Sequence, residues 1–135
     1  MHKRSRSHEL LEFEIAFYER LVEEHPNFVD ALVALGDAYT RYGRHEEGLR
    51  VDLKLAELKH NDPAVWYNLA CSYALLKRSD ESFEALRQAV ALGYDDFEYL
   101  MKDPDLATLR SSPQLRQLLE QHLASKSRER RPVGP

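Results

Sequence analysis

A chain of 135 residues, 43% hydrophobic and 31% charged, is one domain's worth of sequence and is neither disordered nor fibrous by composition. No apolar run approaches the roughly 18 residues of a membrane span, and the opening MHKRSRSHE lacks the apolar stretch of a secretory signal, so the expected compartment is the cytoplasm and no membrane partner is expected. The single Cys71 excludes an intrachain disulfide framework.

The net charge of −4 is unevenly spread. Lys3, Arg4 and Arg6 crowd the start, and Lys126, Arg128, Arg130 and Arg131 the end, so the remaining body is far more acidic than the total. Residues 1–8 and 125–135 read as disordered basic tails. An acidic body argues against a duplex nucleic-acid footprint; RNA contact through the tails is the alternative reading, and nucleic acid is otherwise an unlikely partner.

In chain order, Leu10, Leu11, Ile15, Phe17, Tyr18, Leu21 and Val22 recur at helical spacing over 9–24, and Pro26 stops that helix. A second helix is expected over 29–41 on Leu32, Leu35, Ala38 and Tyr39, with Gly43 as its stop. A third follows over 45–59 on Leu49, Leu53, Ala56 and Leu58. Asp62 and Pro63 give an N-cap and first-turn proline for a fourth helix, lined by Val65, Trp66, Leu69, Ala70, Tyr73 and Ala74. A fifth opens at Ser79 or Asp80, turns Phe83, Leu86, Ala89, Val90 and Leu92 inward, and ends at Gly93. Asp103-Pro104 and Ser112-Pro113 each open a further helical piece, near 104–110 and 113–124. No period-two alternation survives, so the expected fold is all-α.

The helices repeat. A shift of 34 residues carries Leu32, Leu35, Gly36 and Tyr39 onto Trp66, Leu69, Ala70 and Tyr73, and Arg44, Glu47 and Leu58 onto Arg78, Glu81 and Leu92. Two helices of roughly 13 residues plus two turns fill such a period, and a hairpin of that kind buries its apolar stripe only on a copy of itself. Small residues are needed where helix axes approach: Gly36, Ala38 and Gly48 in one copy, Ala70, Ser72 and Ser82 in the next. Gly48 inside a helix costs roughly 1 kcal/mol against Ala, which makes sense if another backbone passes close.

The two copies, Leu32-x-x-Leu35-Gly36-x-x-Tyr39 and Trp66-x-x-Leu69-Ala70-x-x-Tyr73, resemble the tetratricopeptide repeat family. GRHEEGL (43–49) and KRSDESF (77–83) look like its internal turn, and residues 93–121 look like the closing segment of bacterial members. The resemblance implies a right-handed solenoid of antiparallel hairpins: a half repeat at 9–28, repeats at 29–62 and 63–96, and capping helices over 97–124. Three positions depart from the family pattern. Asp52 replaces an aromatic, so that Leu53 is expected to turn inward in its place; His60 replaces an ending proline; Lys77 replaces a turn glycine.

By the same resemblance the first helix of each hairpin lines a concave wall that holds a peptide or partner helix. Asp30, Val33, Ala34, Asp37 and Arg41 would face it from one repeat, and Ala64, Tyr67, Asn68, Cys71 and Leu75 from the next. The carboxylate clamp of chaperone-binding members is disfavoured, because Val33 and Asp37 stand at its first Lys and Asn positions and Asn68 alone matches. The acidic wall prefers a neutral or basic segment. The expected function is therefore a non-catalytic protein-binding adaptor, with no enzyme activity, cofactor or metal. The six histidines show no i, i+4 pair, Cys71 has no partnering base in sequence, and no glycine-rich phosphate loop occurs. The half repeat leaves an apolar helix face without its hairpin mate, which suggests a homo-oligomer through that end.

Overall fold

The computed structural model describes residues 6–129. Its helices are α1 (Arg6–Glu24), α2 (Val29–Tyr42), α3 (His45–Leu58), α4 (Pro63–Leu75), α5 (Ser79–Ala91), α6 (Phe97–Leu100) and α7 (Pro113–Glu129), with a 3₁₀ turn at Pro104–Leu106. Among the described residues there is no strand, and no helix is long and apolar enough to cross a membrane. Three boundaries move: the helical piece expected near 104–110 is a 3₁₀ turn over Pro104–Leu106 alone. Helix α1 starts at Arg6, inside the segment expected as a tail, and α7 continues past the expected end at 124 to Glu129. The remaining tail positions, 1–5 and 130–135, lie outside the described residues.

Local chemistry sets the helix ends. Asp62 caps α4 by accepting from the Ala64 amide at 2.9 Å, with Pro63 in the first turn. Gly43 takes φ +86° after α2, and its amide and that of Arg44 return to Thr40 and Tyr39. The same pair of bonds recurs 34 residues on, from Lys77 and Arg78 to Ala74 and Tyr73. Lys77 adopts φ +61° there, a left-handed conformation that favours glycine. The ion pairs repeat as well. Arg44 pairs with Glu47 and lies 4.8 Å from the Tyr39 ring centroid; Arg78 pairs with Glu81 and lies 5.0 Å from that of Tyr73.

The helices pack consecutively: α1 on α2, α2 on α3, α3 on α4, α4 on α5. One continuous core runs through them from Ile15, through Leu32, Leu35, Leu49, Leu55, Leu69 and Leu86, to Leu106, Leu109 and Leu115. Within each hairpin the helices close on small residues. A Cβ on Gly48 would sit 3.8 Å from the Gly36 carbonyl oxygen, and the equivalent Ser82 hydroxyl donates to the Ala70 carbonyl at 2.6 Å. A polar seam holds α1 on α2: Tyr39 donates to Glu19, Tyr42 to Glu12 at 2.7 Å, and Arg41 to Glu14 at 2.8 Å.

The expected rotation of α3 does not occur. Asp52 points inward at 8% exposure and Leu53 is 41% exposed. Two contacts account for this: Gly36 leaves room beside the carboxylate, 3.3 Å from where its Cβ would be, and the Ser72 hydroxyl donates to Asp52.

Candidate functional site

Helical spacing places Asp30, Val33, Ala34 and Asp37 on one face of α2, and the 34-residue shift places their counterparts on α4. The structure brings seven of the ten expected wall residues into one cleft of about 410 Å³: Asp30, Val33, Ala34 and Asp37 from α2, and Asn68, Cys71 and Leu75 from α4. Asp52 and Leu55 of α3 reach it from below, with Ser72 beside them.

The other three wall residues lie elsewhere. The Arg41 side chain is held by Asp37 at 2.9 Å and Glu14 at 2.8 Å. Ala64 sits exposed in the first turn of α4. Tyr67 is 6% exposed, because the chain after α5 folds back over it. Its ring stacks on Tyr94 at 4.3 Å, and its hydroxyl donates to Asp103 Oδ2 at 2.6 Å.

Asp103 anchors that returning segment. Oδ2 also accepts from the Cys71 thiol at 3.7 Å, Oδ1 caps the 3₁₀ turn through the Asp105 amide at 3.0 Å, and the carbonyl accepts from Arg110. The ligand atoms of Cys71, Asp103 and Asp105 lie within 4.8 Å of one another, a spacing a metal ion would fit. Both Asp103 oxygens are already engaged, however. Burial, then the Asp103 charge, pushes the Cys71 thiol well up, which disfavours a thiolate nucleophile there. The cluster therefore serves as an intramolecular lock.

The cleft itself is acidic. Asp30 and Asp37 are exposed, and Asp52 lies at the bottom. Burial raises the Asp52 carboxyl to about 6, the Ser72 hydroxyl pulling the other way, so it is ionised at neutral pH and protonates in mild acid. The side-chain amide of Asn68 can both donate and accept at the opposite lip. Residue spacing did not reveal Asp52, whose place in the cleft depends on Gly36 and Ser72 in two other helices.

A second groove, about 620 Å³, runs along α3, α4 and α5 over Leu53, Trp66, Leu69 and Tyr73. Three of its four rim acids are matched by neighbours, Glu57 by Lys54, Glu81 by Arg78 and Glu84 by Arg87, and Asp80 is the fourth. The inner cleft differs in having an acid at its base that no cation among the described residues covers.

Residues 63–92, which are α4 and α5 with their connecting turn, match the tetratricopeptide repeat model. The chain is also 36% identical over 89 residues to a chloroplastic protein of Arabidopsis thaliana. The match covers 64% of this chain and 27% of that protein, so the chain spans about a quarter of its relative's length. The chain is thus an all-α stack of antiparallel helix pairs that contains a tetratricopeptide repeat at 63–92 and is distantly homologous to that plant protein.

Proposed function

We propose that the protein is a non-catalytic adaptor that takes a basic segment of a partner protein into the acidic cleft between α2 and α4. Tetratricopeptide arrays are typically scaffolds whose curved walls recognise other proteins, and the match at 63–92 supports that class. The observation that carries the finer reading is Asp52: a carboxylate at the base of the cleft, held by a hydroxyl and, among the described residues, by no cation. Ionised, it favours a Lys or Arg side chain entering from above, with Asp30 and Asp37 at the mouth and Val33, Ala34 and Leu75 as apolar walls. Arg41 screens Asp37 in part, so Asp30 and Asp52 supply most of the attraction.

The contact surface is narrower than the full concave face. Tyr67 and Cys71 are engaged by the closing segment, so we assign recognition to Asp30, Val33, Ala34, Asp37, Asn68 and Leu75, with Asp52 added. The lone thiol suits a reducing compartment, and we assign the chain to the cytoplasm; the relative's name places that protein in the chloroplast.

Selection from a random dodecapeptide library tests this. Wild-type protein is expected to enrich Lys- and Arg-containing peptides, and Asp52→Asn to lose the enrichment while keeping its helix signal. Enrichment of acidic peptides, or identical selection by both proteins, would refute the assignment.

A further inference from the structure

Helix α1 carries two apolar stripes, roughly 120° apart around its axis at 3.6 residues per turn. In the first, Leu11, Ile15, Tyr18 and Val22 pack against the core. In the second, Leu10, Phe13 and Phe17 are 64%, 72% and 55% exposed, and the stripe runs on through Leu21 to Phe28, itself 43% exposed. A surface helix needs one apolar face, and a helix with two apolar stripes is built to be covered on both. The polar seam from Glu12, Glu14 and Glu19 to α2 fixes the rotation of α1, so the second stripe has no way to turn inward.

We propose that this stripe is a homodimer interface in which α1 packs antiparallel on α1 of a second copy. Charge pattern selects the occupant and the direction. Arg6 lies at the N-terminal end of the stripe and Glu24 at its C-terminal end, while Glu9 and Arg20 share one flank. Antiparallel pairing about the middle of α1 sets Phe13 against Phe17 and Leu10 against Leu21. It also sets Arg6 against Glu24 and Glu9 against Arg20, each contact occurring twice by the two-fold axis. Parallel pairing would set Arg6 against Arg6 and Glu24 against Glu24, and would put the two Glu9–Arg20 flanks on opposite sides of the seam, out of reach of each other. The Arg20–Glu24 contact within α1 is exposed and long, 3.7 Å, and yields readily to the new pairs.

At the roughly 150–250 Å² an aromatic side chain carries, the exposed stripe amounts to some 500 Å² per chain. Two stripes with their flanking charges reach about 1,000–1,200 Å², the lower edge of specific interfaces, which suits a dimer of micromolar strength.

Sedimentation equilibrium of the full chain from 1 to 300 µM tests the proposal. The mass is expected to rise from 15.7 kDa towards twice that value with concentration. Phe13→Glu with Phe17→Glu is expected to hold it at the monomer mass without altering the helical circular dichroism, since both side chains are exposed. Arg20→Glu alone is expected to weaken the dimer at least fivefold, and adding Glu9→Arg to restore it to within about twofold. A monomer throughout would overturn the dimer and leave the stripe to another protein's helix. Dimers that tolerate the Phe pair, or a charge reversal that Glu9→Arg does not rescue, would overturn the interface or its antiparallel register.

Discussion

The two hairpins, α2–α3 and α4–α5, share a skeleton and differ on their inner walls. Both end their first helix in the same left-handed turn, both stack an Arg on a Tyr, and both close on a small residue where the helices cross. Yet α2 presents Asp30, Val33 and Asp37 to an open cleft, whereas α4 gives that cleft Asn68 and Leu75 but has Tyr67 covered, and the buried Cys71 held, by the returning segment that carries Tyr94 and Asp103. A repeat period thus specifies which side chains point at the wall. What covers the wall is decided by chain elsewhere, here by Asp103 bonding to a tyrosine 36 residues earlier.

The covered half is the costlier one to disturb. Leu106 is fully buried where the 3₁₀ turn meets α4, so Leu106→Ala is expected to cost about 2–5 kcal/mol. Urea denaturation monitored by circular dichroism measures this; a loss below about 1 kcal/mol would mean that the closing segment is not part of the cooperative core.

The open half should behave in the opposite sense. Folding raises the Asp52 carboxyl from its ordinary value of 3.8 to about 6, so the folded state holds the proton more tightly than the unfolded chain. Ionisation therefore destabilises the fold: the penalty is absent below about pH 4, grows up to about pH 6 and is complete above it. Asp52→Asn keeps an acceptor for Ser72 and removes the charge. It is expected to stabilise the protein by about 2–3 kcal/mol at pH 7.5 and to have little effect at pH 4. The same change is expected to abolish capture of basic peptides, which would set stability against recognition at one residue. Denaturation at both pH values, with peptide binding measured alongside, separates the two effects.

The smallest expected difference lies in the turns. Lys77 holds a conformation that costs a non-glycine residue about 1–2 kcal/mol, while glycine there loses roughly 0.5–1 kcal/mol of that gain to unfolded-state entropy. Lys77→Gly is thus expected to raise stability by about 0.5–1 kcal/mol, bringing the second turn level with that at Gly43. A decrease in melting temperature would contradict this.

Much of the fold is legible because its determinants are local. Asp62-Pro63, Gly43 and Gly93 mark helix ends within a residue or two of those observed, and the 34-residue shift pairs equivalent positions. The site is less legible because its determinants are not local. Asp52 reads as a misfit that should rotate outward; Gly36 and Ser72, from the helices on either side, make its inward position tenable. Tyr67 reads as a groove anchor at its repeat position, and nothing within its own repeat announces that Asp103 and Tyr94 take it up. Helix periodicity also places Phe17 and Leu21 in α1 without separating the face that packs on α2 from the one left exposed.

The division of the wall into an open and a closed half is tested most directly by labelling the Cys71 thiol in the native protein. The cysteine is buried, bonded to Asp103 and held protonated, so reaction with a disulfide reagent at pH 8 should be at least a hundredfold slower than in the unfolded chain. Asp103→Ala should accelerate it markedly while leaving the helix content unchanged. Labelling of the wild-type protein at the unfolded rate would mean that the segment after α5 does not close over α4.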